Sequence, residues 1–138
     1  MAESGSRTFV IIGNGVAGTS AAETLRKGDP DARIILIGDE PHPLYNRVAL
    51  PKVLKGVTAP ERTIIKSVQW HVDNRVELHL TTLVTGIDTE RQIVRTENGE
   101  SFRYDALLVA TGGTPNRVSV PGSEGTRGIY PFQTLEDT

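Results

Sequence analysis

Apolar positions fall into three regimes along the chain. Arg7–Ile12 (RTFVII) and Arg33–Ile37 (RIILI) are continuous β-branched runs of the kind that form buried parallel strands. Between them Ala17, Ala21, Ala22 and Leu25 recur at spacings of three and four, which predicts a helix running to about Lys27 and stopped by Gly28-Asp29-Pro30. Strand, helix, strand is a βαβ unit with a right-handed crossover. A loop with Pro41 and Pro43 follows. Arg47–Leu54 then predicts a short helix, which Pro51 either limits to a turn or two or must begin, and Gln69–His71 a second short helical segment.

From Val76 the period changes to two. Val76, Leu78 and Leu80 alternate with Glu77, His79 and Thr81, and Leu83–Ile87, Gln92–Thr96 and Ser101–Tyr104 read as further short strands. Turns at Asp88–Arg91 and Glu97–Glu100 join them, Asn98-Gly99 being a strong hairpin signal. The expectation is a small antiparallel meander beginning at Val76. Asp105–Ala110 then returns to a continuous apolar run, read as another buried parallel strand. Pro121–Thr138 reads as loop, with one strand around Gly128–Tyr130. The fold class is therefore α/β: a Rossmann-like parallel sheet with helices and an inserted antiparallel meander.

Composition narrows the chemistry. With 138 residues, 37% hydrophobic and 23% charged, the chain has the make-up of one globular domain. A net charge of −2, without a basic run, provides no field for nucleic acid or anionic lipid. No apolar stretch approaches a membrane span, and the first residues lack the apolar region of a secretory signal, so a cytoplasmic location is expected. Residues 1–6 read as a flexible tail ahead of a domain at 7–138. With no cysteine, thiol catalysis and Fe–S ligation within this chain are excluded. His42, His71 and His79 form no zinc-binding spacing, so no metal site is expected.

The chemistry-bearing segment is Gly13-Asn14-Gly15-Val16-Ala17-Gly18, at the junction of the first strand and the helix. In a GxGxxG corner the first glycine allows the sharp turn, the second lets a pyrophosphate approach the backbone, and the third permits close helix–strand packing. The helix N-terminus then presents unpaired N–H groups and its positive dipole end to the phosphates. Asp39 and Glu40, about 20 residues on, stand where an acid accepts ribose hydroxyls, and their charge disfavours a 2′-phosphate. The alternative, a structural turn followed by a solvated acidic pair, is disfavoured by the complete βαβ context, but the motif does not separate FAD from NAD.

Four blocks in order, VIIGNGVAG (10–18), ILIGDEP (35–41) leading to Tyr45-Asn46-Arg47 and Leu50-Pro51-Lys52, YDALLVATGGTP (104–115) and TLED (134–137), resemble the FAD-dependent pyridine nucleotide-disulfide oxidoreductases. The likeness is to the branch with NADH-dependent ferredoxin, rubredoxin and nitrite reductases. It implies that Gly13, Asn14, Gly15, Val16, Ala17 and Gly18 cradle the FAD pyrophosphate and that Asp39 and Glu40 face the adenosine ribose. It further implies that Arg47 meets the pyrophosphate, that Lys52 lies near the flavin ring, that Val84 meets the adenine through its backbone, and that Ala110, Thr111 and Gly112 close the loop beside the cofactor.

On local grounds alone Arg47 and Lys52 read rather as solvated charges on a short helix, and Thr111-Gly112 equally as an ordinary strand-end turn. Pro51, where relatives often carry serine, bears on how Lys52 is presented. The cysteine pair of the disulfide-reducing branch is absent, which points to electron transfer from NAD(P)H through FAD to a ferredoxin, rubredoxin or nitrite-reductase-type acceptor. Relatives of this kind carry an NAD(P)H domain and a returning FAD segment after this point, so the chain is expected to be a truncation, a proteolytic core or a piece of a split protein, inactive alone. The competing readings are a non-catalytic nucleotide-binding module and an NAD-dependent dehydrogenase domain.

Overall fold

The computed structural model describes residues 6–116, 120–123 and 125–138, and the chain divides into two compact units. The first unit comprises the residues up to Leu44 together with Ile65–Gly112; the second comprises Tyr45–Ile64 and Gly113–Thr138.

In the first unit β1 (Thr8–Ile12), α1 (Val16–Gly28) and β2 (Arg33–Ile37) form the expected βαβ unit. In chain order, α2 (Leu50–Leu54) belongs to the second unit, and α3 (Val68–Asp73), β3 (Val76–His79), β4 (Val84–Asp88), β5 (Ile93–Thr96), β6 (Ser101–Arg103) and β7 (Ala106–Val109) to the first. The main sheet has the order β3-β2-β1-β7 with every pair parallel. The sheet β4-β5-β6 is antiparallel. The α/β fold with a separate antiparallel sheet is as the apolar pattern implied.

Both faces of the main sheet are covered, which is why β1 and β2 carry unbroken apolar runs. On one face Val10, Ile12, Ile35 and Ile37 pack with Val94 and Phe102 of the antiparallel sheet. On the other, Ile11, Ile34, Leu36 and Val76 pack with Ala22 of α1 and Ala32. Val10, Ile11, Ile34, Ile35 and Leu36 are fully buried, each worth roughly 1.5–3 kcal/mol of transfer free energy.

Three sequence expectations are corrected. Val76–His79 is not the first strand of the meander: it extends the parallel sheet beside β2, pairing Ile34 with Val76 and Leu36 with Leu78. Its alternation arises because it is an edge strand, with Glu77 exposed and ion-paired to Arg33 at 2.7 Å. The run at Ala106–Val109 is parallel to β1, yet it is not buried: Leu108 is 40% and Val109 55% exposed, because β7 is the other edge. An apolar groove of about 480 Å³ lies along β7, β1 and α1, lined by Phe9, Ala21, Leu25 and Leu107 among others. Finally, Gly128–Tyr130 forms no strand; Gly125 and Gly128 take φ of +71° and +94°, and Tyr130 is 82% exposed. Of the expected tail, residues 1–5 lie outside the described residues, and the Ser6 hydroxyl donates to the Asp31 carbonyl oxygen.

The end of α1 is fastened by one side chain. Arg26 donates from Nε to the Asn74 carbonyl (2.9 Å), from Nη1 to those of Pro30 and Ala32 (2.8 Å each), and from Nη2 to that of Arg75 (2.7 Å). Arg75 has a positive φ of 51°, so this guanidinium stabilises a backbone turn that a non-glycine residue adopts reluctantly.

In the second unit Tyr45, Leu50 and Leu135 form a small core with Val53 and Ile64 at its margin. Asn46 caps a 3-10 turn at Arg47–Ala49 by accepting from the Val48 N–H (3.0 Å), and Pro51 occupies the first turn of α2, where its missing N–H costs nothing. Among the described residues no helix is long and apolar enough to cross a membrane.

His71 generates a pH dependence. It is 1% exposed, its Nδ1 lies 2.8 Å from the Ser67 carbonyl oxygen, and its buried Nε2 has no partner among the described residues. Burial pushes its pKa below the ordinary 6.5, with the Lys66 charge acting in the same direction and the Ser67 carbonyl opposing. The fold thus favours neutral His71. This contribution is fully present above the unfolded pKa and is lost as pH falls from there through the folded value. Thermal melts at pH 7.5 and 5.5 will show a loss of stability that His71→Phe diminishes; an equal loss in the variant contradicts this assignment.

Candidate functional site

The corner between β1 and α1 is made of backbone. Gly13 has φ +111°, and a Cβ there would lie 2.1 Å from the Ala110 carbonyl oxygen. Its N–H donates to the Ile37 carbonyl (2.8 Å), while the Ala110 N–H donates to that of Ile12 (2.7 Å). Gly13 is thus wedged between the ends of β2 and β7. A Cβ at Gly18 would lie 1.9 Å from the Gly13 carbonyl oxygen and 3.2 Å from Ile11 Cγ2, so α1 approaches the end of β1 closely only because Gly18 has no side chain.

Gly15 differs from both. A Cβ there would meet nothing within 4 Å, and Val16 beside it is 65% exposed. As the N-cap of α1, Gly15 offers no side-chain cap, and the helix has no acidic residue in its first turn. The first intrahelical bond runs from the Thr19 N–H to the Gly15 carbonyl (3.0 Å), which leaves the preceding N–H groups without intrahelical acceptors. The three glycines thus divide their roles as the motif requires: two fit a steric demand and one leaves space. The corner is open at Gly15, and uncapped N–H groups suit an anion.

The acidic pair leaves the end of β2. Asp39 is exposed and Glu40 half-buried. Their backbone is held by bonds from the Gly38 N–H to the His79 carbonyl (2.8 Å), from Thr82 to Gly38 (2.9 Å) and from Thr81 to Glu40 (3.1 Å). Asn14 braces the opposite side: its Nδ2 donates to the His42 carbonyl (3.1 Å), and its Oδ1 accepts from the Thr19 hydroxyl (3.3 Å). Motif spacing gives no hint of this brace, because the position between the first two glycines is free to vary.

Val84 and Thr111 line an open crevice of about 310 Å³ with Ile12, Thr85, Gly86, Ile87 and Val109. Gly112 follows Thr111 with φ +72°. In the first unit, then, the glycine corner, Asp39–Glu40 and Ala110–Gly112 all gather at the C-terminal ends of the parallel strands, with Val84 joining Thr111. That edge of a doubly wound sheet is where ligands bind.

Arg47 and Lys52 belong to the second unit. The Arg47 guanidinium stacks 5.1 Å from the Tyr45 ring centre and donates to the Gln133 carbonyl (2.6 Å). Lys52 is exposed on α2. The TLED block is a capping turn, in which the Asp137 carboxylate accepts from the backbone of Gln133 and Thr134 (2.7 Å each) and from the Thr134 hydroxyl (3.1 Å). These bonds, the Thr134 backbone first, hold the Asp137 carboxyl below the usual carboxylate range, with the nearby Arg47 charge adding to the effect.

Comparison with known proteins gives the family of the chain. The model of the pyridine nucleotide-disulphide oxidoreductases matches residues 7–138. The chain belongs to that family. It is 35% identical over 135 residues to the nitrite reductase [NAD(P)H] of Bacillus subtilis (strain 168), covering 97% of this chain and 17% of the relative. It is 33% identical over 127 residues to the ferredoxin reductase component of chlorobenzene dioxygenase from Cupriavidus sp. (strain PS12), covering 92% and 31%. The NADH:rubredoxin oxidoreductase structure from Clostridium acetobutylicum superposes with a TM-score of 0.83 at 26% identity, covering 96% of this chain and 34% of that one. This family chain therefore spans about a third or less of these proteins.

The unequal glycines predict unequal costs. Gly13→Ala and Gly18→Ala will each destabilise by about 3 kcal/mol or more, through strain and backbone overlap. Gly15→Ala meets no steric obstacle, and alanine, a poorer N-cap than glycine, will cost only about 1 kcal/mol. Urea denaturation of the three variants checks the order; a Gly15→Ala cost equal to the others contradicts the open corner.

Proposed function

We propose that residues 7–138 are the N-terminal part of the FAD-binding domain of an NAD(P)H-dependent flavin oxidoreductase. The observation that carries this reading is the open, uncapped backbone at Gly15 beside two glycines that are sterically required. In this reading the N–H groups of Gly15, Val16 and Ala17 receive the pyrophosphate, with Gly13 and Gly18 fixing the corner. A carboxylate at Glu40, with Asp39 beside it, accepts the adenosine ribose hydroxyls. Val84 bounds the adenine crevice through its backbone, and Ala110, Thr111 and Gly112 close the rim.

For Arg47 at the pyrophosphate and Lys52 near the flavin, the roles rest on the family resemblance alone. Arg47 brings a guanidinium already oriented by Tyr45 and Gln133, suited to paired oxygens. Lys52 brings a cation that would favour a reduced, anionic ring. The redox chemistry itself, acceptance of a hydride from NAD(P)H and onward release of electrons, is what bound FAD supplies. The chain contributes binding, orientation and charge.

The electron acceptor in this reading is a redox protein or centre of the ferredoxin, rubredoxin or nitrite reductase type. The relatives named above support that class. A cytoplasmic setting suits such soluble redox partners and the reducing chemistry of NAD(P)H.

Isothermal titration of the chain with FAD, ADP and NAD tests the cofactor. FAD and ADP will bind, and NAD will bind at least tenfold more weakly than FAD. Tight NAD binding with no heat from FAD would overturn the assignment.

A further inference from the structure

Asn14 stands at a motif position that tolerates any side chain, yet its amide is committed on both ends. Nδ2 donates to the His42 carbonyl at 3.1 Å, and Oδ1 accepts from Thr19 Oγ1 at 3.3 Å. Thr19 is 1% exposed and one turn into α1, so the acceptor end is anchored in the core. Opposite, Gly38 lies so close that a Cβ there would sit 2.9 Å from Asn14 Cβ. The segment carrying Asp39 and Glu40 is consequently clamped between Asn14 on one side and the backbone of His79, Thr81 and Thr82 on the other.

We propose that Asn14 is a positioning residue, setting the distance between the phosphate-receiving corner and the ribose-receiving acids of the same nucleotide. This rests on the dinucleotide reading above. A ligand that bridges two subsites gains most when their spacing is fixed before it arrives, because no ordering remains to be done on binding. One side chain linking corner to acidic loop supplies that pre-organisation. Asn14 contributes without its amide being aimed at the ligand: its carbonyl and one N–H are already used inside the protein.

The test is a double-mutant cycle read by calorimetric titration with ADP, using wild type, Asn14→Ala, Glu40→Ala with Asp39→Ala, and the triple variant. Asn14→Ala will weaken ADP binding about five- to tenfold in the wild-type background, the size of one oriented hydrogen bond. It will change affinity by less than about twofold once the acids are gone, since nothing is left to position. An equal loss in both backgrounds means that Asn14 acts on the corner alone and overturns the coupling, as does no loss in either. Absence of ADP binding by the wild type instead sinks the nucleotide reading itself. Should Asn14→Ala fail to melt cooperatively, Thr19→Val replaces it in the cycle, releasing Oδ1 while keeping the core filled, with the same non-additivity expected.

Discussion

At the head of β1 the Gly13 backbone lies against the Ala110 carbonyl on one side and against Gly18 on the other, with no room for a methyl group in either contact. This double approach fixes where α1 starts relative to the sheet. Because α1 starts there, its first N–H groups emerge beside the open position at Gly15 and next to the ends of β2 and β7. The sharp exit from β1 and the neighbourhood of the Ala110–Gly112 rim follow from that packing, while the uncapped helix terminus follows from Gly15 having no side chain.

The βαβ unit could be read from the sequence because its two signals reinforce each other. Uninterrupted β-branched runs require cover on both faces, and the alanine spacing of α1 supplies the cover. Edges were less legible. An edge strand and a meander strand both alternate, so Val76–His79 gave no local sign of its parallel partner, which is set by a contact with β2 some forty residues earlier in the chain. Likewise Ala106–Val109 has the composition of an interior strand while lying at the sheet margin, because composition reports what a strand can bury and topology decides what it does bury.

Side-chain devices were the least legible part of the site. Arg26 and Asn14 act through main-chain carbonyls of Asn74, Arg75 and His42, which have no residue-type signature. The turn at Asn98-Gly99, by contrast, was visible because Gly99 must adopt φ +84°. The Thr134–Asp137 block shows a third case. As a family resemblance it marked a position, and the structure supplies the physical content: a carboxylate capping two backbone N–H groups and a hydroxyl, one step from Leu135 in the small core of the second unit.

We propose that the corner at residues 13–18 is a phosphate receptor made of backbone. Amide-resolved NMR during addition of ADP tests it most directly. The largest shifts are expected on the N–H groups of Gly15, Val16 and Ala17, followed by those around Asp39 and Glu40. Shifts concentrated elsewhere, with the Gly15–Ala17 amides unmoved at saturating ADP, would contradict it.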